Sequence, residues 1–95
     1  MAAKAKRLTL PAGLDAAAVE ALHADLAAAR GRDVRLAAAE VRRLGALGAQ
    51  LLLAAARAWA EDGRRFSLEA PSDEFLDALR LLGLRREALE HGGDA

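Results

Sequence analysis

The sequence predicts an α/β domain of two layers, with a mostly parallel sheet of three to four strands and helices on one face only. Segments with apolar residues at every second position alternate three times with segments at helical spacing, at about thirty residues per unit, the length of a strand-helix-strand crossover. Such crossovers make parallel, right-handed neighbours. The strand segments also alternate apolar with polar instead of running apolar throughout, so one sheet face meets water while helices cover the other.

Lys6 to Leu10 (KRLTL) opens the series, with Leu8 and Leu10 on one side and Thr9 on the other; Pro11 and Gly13 stop it. Asp15 suits an N-cap, and Val19, Leu22, Leu26 and Ala29 follow as the buried stripe of a first helix closed by Gly31. Asp33 to Ala38 is the second strand, with Val34, Leu36 and Ala38 inward and Arg35 outward. A loop of polar and small residues, Ala39 to Leu47, leads to a second helix from about Gly48 to Glu61, with Leu52, Ala55 and Trp59 on its apolar face and Gly63 after it. Arg64 to Ala70 (RRFSLEA) is the third strand, with Phe66, Leu68 and Ala70 inward. Pro71 ends it, Ser72 caps a last helix, and Phe75, Leu79 and Leu82 form that helix's buried stripe up to Gly83. Residues 1–84 read as one domain and 85–95 as a C-terminal tail, with room for one helical turn around Leu89.

Apolar residues make up 54% of the chain, with Trp59, Phe66 and Phe75 its sole aromatics, so the core must be built from aliphatic side chains. Fourteen basic side chains balance fourteen acidic ones, and no basic stripe with interleaved aromatics occurs, which argues against nucleic acid as a partner. No window approaches the ~18 apolar residues of a membrane span, so no direct insertion is expected. Lys4, Lys6 and Arg7 are followed by Pro11, Gly13 and Asp15, not by a signal-type apolar segment, and the expected location is the cytoplasm. The chain has no cysteine, which removes disulfides and thiolate metal sites.

Candidate chemistry is sparse. His23 falls one position beyond the Leu22 stripe, His91 precedes two glycines near the C-terminus, and neither has a metal-ligand partner at helical spacing. Thr9, Ser67 and Ser72 are accounted for by strand alternation or capping, so no nucleophile, base and orienter can be assembled. Neither catalysis nor a cofactor or metal is expected. What remains is the stretch around "EVRRLGALGAQ", Glu40 to Gln50. Gly45 and Gly48 at a helix entrance leave amide hydrogens directed at an anion, or else Gly48 serves close packing of loop against strand. Without a P-loop lysine or a third glycine, the stretch matches neither nucleotide-cradling motif. Arg42 and Arg43, beside Glu40, are either solvated or the rim of a transient interface.

Val41 to Leu84 resembles the STAS domain, the sulphate transporter and anti-sigma factor antagonist family, in its short loop before a long helix and in the "PS" and "LLGL" segments that follow. Gly13 to Leu26 (GLDAAAVEALHADL) is similar to the family's first helix entry. The resemblance implies a two-layer STAS-like fold and a non-enzymatic module of bacterial signal transduction, of the chemotaxis or anti-sigma factor antagonist type. Its partner would be a signalling kinase, an anti-sigma factor or a chemotaxis component. The implied docking residues are Glu40, Arg42, Arg43, Gly45, Ala46, Leu47, Gly48 and Gln50, with Leu47 as a small apolar anchor. In phosphorylated members the loop carries a hydroxyl; alignment on Gly48 puts Ala46 there, and alanine cannot accept phosphate. The segment from Trp59 to Gly83 is similar to small stand-alone members encoded beside chemotaxis genes. A second reading of the resemblance is an accessory STAS subunit of a lipid-trafficking ABC transporter. Met1 to Ala5 leave too little chain for the extra strand of many members, so strand one is expected at an edge, where a homodimer could pair.

Overall fold

The computed structural model describes residues 5–90; expectations that fall on Met1 to Lys4, His91 and the rest of the C-terminus lie outside the described residues. In chain order the elements are β1 (Lys6–Thr9), β2 (Gly13–Leu14), α1 (Ala16–Ala28), β3 (Val34–Ala37), β4 (Arg43–Leu44), α2 (Ala46–Glu61), β5 (Phe66–Glu69) and α3 (Asp73–Leu81), followed by a 3-10 turn at Arg86–Leu89. β1, β3 and β5 form a parallel sheet in that order, and β2 pairs with β4 in a separate two-stranded parallel ribbon. The expected α/β class with its parallel sheet is what the chain adopts.

Register explains the two faces. Leu8, Leu36 and Leu68 stand side by side across the three strands, as do Lys6, Val34 and Phe66, and the apolar members of both rows are buried. The opposite face carries Arg7, Arg35 and Glu69: the Glu69 carboxylate accepts from Arg7 at 2.8 Å and lies 3.6 Å from the Arg35 guanidinium. The hydrogen bond from Arg7, then the charges of Arg7 and Arg35, hold the Glu69 carboxyl below its usual range against an opposing desolvation.

The helices form where caps and stripes coincide. Asp15 accepts from the Ala18 amide at 2.9 Å at the start of α1, and Ser72 accepts from the Phe75 amide at 3.0 Å at the start of α3. Trp59 is core: its indole Nε1 donates to the Arg32 carbonyl at 2.6 Å and its ring centroid lies 5.5 Å from that of Phe66.

Four local expectations are corrected. Gly13, read as a breaker, begins β2, and Arg43–Leu44, read as loop, is its partner strand; two residues are too short for a periodic signal. The second helix starts at Ala46, two residues before Gly48, because Gly45 takes the extended cap conformation (φ −87°, ψ 176°). Ala70 does not point inward: strand β5 stops at Glu69, and Ala70 turns out with φ +49°, bringing the Ser72 amide onto the Ala38 carbonyl at 3.1 Å. Leu82 is 41% exposed, because α3 ends at Leu81 before its stripe completes another turn. The core position is filled from further along: Leu89, in the 3-10 turn, is fully buried.

Candidate functional site

The segment from Ala38 to Gln50 is held by three neighbouring parts of the chain. Ala38 donates to the Glu69 carbonyl and accepts from the Ser72 amide, both at 3.1 Å. Buried Val41 anchors the loop, and its carbonyl accepts from the Ser72 hydroxyl at 2.5 Å. The Arg42 and Arg43 amides both donate to the Ala12 carbonyl, at 2.7 and 3.0 Å, and Leu44 then pairs with Leu14. Ala38, Val41, Arg42, Arg43 and Leu44 are thus each tied to a distant segment, which holds the exposed side chains between them on a fixed frame.

The two glycines differ in purpose. A Cβ on Gly48 would lie 3.0 Å from the Leu44 Cδ1, 3.4 Å from the Leu14 Cβ and 3.6 Å from the Val19 Cγ2, so Gly48 lets α2 seat directly on the β2-β4 ribbon. Gly45 has nothing within 4 Å of such a Cβ and a negative φ, so no steric demand selects glycine there. Its effect is to leave α2 without a side-chain cap. Gly48→Val is therefore expected to destabilise the fold by about 1–3 kcal/mol through overpacking. Gly45→Asp should stabilise it by a few tenths of a kcal/mol by adding a cap acceptor. Urea titrations followed by circular dichroism check both signs.

Of the eight residues read as docking positions, Glu40, Arg42, Arg43, Gly45, Ala46, Leu47 and Gln50 are exposed and Gly48 is buried. Leu47 is 59% exposed; the other exposed large apolar side chains among the described residues, Leu81 and Leu82, lie at the far end of α3. Glu40 and Arg42 border a polar depression that also meets Ala12, Val41 and Glu74, and Arg42 lies 3.9 Å from the Glu74 carboxylate. Leu47 and Gln50 border an apolar groove with Val19, Glu20, His23 and Leu51. The Arg43 guanidinium lies over Gly13, where an added Cβ would meet its Nη2 at 2.7 Å. The helix start is therefore a ridge with a charged flank and an apolar flank.

Sequence reasoning missed the contributions of Ala12, Leu14 and the α1 side of the apolar groove. Ser72 was legible as a helix cap, but its second bond, to Val41, spans a separation along the chain that no local pattern encodes. The stretch Ala39 to Gln50 contains no serine, threonine, histidine or cysteine, and among the described residues no group of three His, Cys, Asp or Glu could hold a metal.

A parallel sheet covered by helices on one face, with a short loop entering a long second helix, is the architecture of a STAS-like domain. Residues 1–90 match the family described as Mlab, STAS domain, and the chain belongs to that family. Comparison with curated proteins and with solved structures yields no match. Among the described residues no helix is long and apolar enough to cross a membrane.

Proposed function

We propose that this STAS domain is a cytoplasmic, non-enzymatic protein-binding module that docks its partner through the loop and the start of α2, Glu40 to Gln50. The observation that carries the reading is Leu47, a large apolar side chain exposed at the tip of a rigidly held, uncapped helix start. Leu47 would enter an apolar pocket of the partner, while Arg42 and Arg43 supply charge complementarity and steer the encounter.

Leu47→Asp is expected to leave the fold intact, because the side chain is exposed, and to weaken partner capture by roughly tenfold or more, the scale of an interface anchor. The check is affinity capture from lysate with identification by mass spectrometry, the variant's fold being verified by circular dichroism. Undiminished capture by the folded variant refutes the site.

Two classes of partner fit a STAS module: a signalling component (a kinase, an anti-sigma factor or a chemotaxis protein), or the ATPase of a lipid-trafficking ABC transporter of which this chain is an accessory subunit. The loop has no hydroxyl between Ala39 and Gln50 that could be esterified with phosphate, so the contact at this loop would be constitutive with either class. Under the transporter reading the chain co-purifies with an ATPase subunit and its removal alters ATP hydrolysis. A transporter that assembles and turns over normally without the chain rules it out.

A further inference from the structure

We propose that the groove between α1 and α2 is a self-association face, and that its occupant is a second copy of this chain arranged antiparallel about a two-fold axis. This is a separate interaction from partner docking at the α2 start, although Leu47 borders both surfaces.

The groove has two unlike ends. At one lie Glu20 of α1 and Leu47 of α2; at the other lie Ala27 of α1, Arg30 in the turn just past its end, and Ala54 and Ala58 of α2, with His23 and Leu51 between them. Acid and bulk are thus at one end, base and small side chains at the other. A closed two-fold interface sets residue i of one copy against j of the other and j against i, so a face whose two ends complement each other complements its own copy.

The sequence positions agree with one axis. When α1 crosses its copy antiparallel with position 25 at the centre, His23 faces the second copy's Ala27 and Glu20 comes up against the turn after the second copy's α1, which carries its Arg30. With the centre of α2 between positions 52 and 53, Leu47 faces the second copy's Ala58 and Leu51 faces the second copy's Ala54, a large side chain against a small one at each step. His23 and Leu51 border both halves of the groove, so the centres on the two helices lie at the same height. A single axis therefore satisfies the charge pairs and the size pairs together.

Arg30 is also preorganised. Its Nε and Nη2 reach the Asp62 carboxylate at 3.0 and 2.9 Å, and its guanidinium lies 5.5 Å from the Trp59 ring centroid. Fixing the arginine before association reduces the entropy lost on binding. Helix α1 has 13 residues and is therefore only about 20 Å long, so the face is smaller than the ~800 Å² per partner of a standard interface. The expected dimer is a weak one that forms as concentration rises.

Sedimentation velocity of the full chain, purified without partners and run over a concentration series up to its solubility limit, tests this. A monomer-dimer equilibrium is expected. E20R sets like charges against each other twice and should weaken the dimer roughly tenfold or more; Ala54→Glu should do the same from the α2 side. The double variant E20R/R30E restores opposite charges and should recover most of the affinity, with thermal unfolding confirming that each variant is folded. Should R30E lose its fold with its Asp62 and Trp59 contacts, E20R and Ala54→Glu decide the matter. A wild-type chain that stays monomeric throughout, or a dimer indifferent to E20R and Ala54→Glu, as pairing through the β1 edge would be, overturns the proposal. Since no partner is present, failure here is distinct from failure of the docking site.

Discussion

Trp59→Ala is expected to lower the unfolding free energy by about 3–5 kcal/mol, a large share of what a small domain possesses. Three losses combine. The side chain is 2% exposed, so truncation leaves a cavity between α2 and β5. The tilted ring contact with Phe66 disappears, and the Arg32 carbonyl loses the indole donor that ties the turn before β3 to α2. Trp59→Phe separates these terms: it keeps most of the apolar volume and should cost only about 1–3 kcal/mol, chiefly from the lost hydrogen bond and the smaller ring. Urea titration read by circular dichroism gives both values as shifts in midpoint.

Leu89→Ala should cost about 2–5 kcal/mol, the range of a fully buried leucine. The residue lies beyond the stretch that periodicity assigns to the domain, yet it is completely enclosed and belongs to the main core. Its 3-10 turn contacts α2 and β5, and Glu90 next to it accepts from the Leu68 amide at 3.3 Å on the outer edge of β5. A chain stopped after residue 84 would lose the leucine, the carboxylate and the cover of that strand edge together, and its midpoint should fall at least as far as that of Leu89→Ala.

The long periodic elements were legible because their stripes are local: Val19, Leu22 and Leu26 announce α1, and Leu8, Val34, Leu36 and Phe66 announce the sheet face. Asp15 and Ser72 were equally readable as caps, since a cap and the amide it serves lie three residues apart. The β2-β4 ribbon was not legible, because its two-residue strands carry no period and their pairing is decided by the Ala12 carbonyl and by the fit of Gly48 on Leu14 and Leu44. Leu82 misled for the opposite reason: it continues a stripe whose helix has already ended, and Gly83, with φ +77°, turns the chain away. Of the candidate site, the position of the loop and the exposure of Leu47 were readable from spacing and resemblance. The apolar groove was not, since it depends on which side of α1 approaches α2.

The shape of the α2 entrance is borrowed from elsewhere in the chain: its turns rest on the carbonyl of Ala12 and the hydroxyl of Ser72. A synthetic peptide copying Ala38 to Gln50 would lack both supports and would sample many conformers in solution. Anyone wishing to compete with this protein for its binding partner, or to transplant the loop onto another scaffold, would have to carry all three stretches along with it.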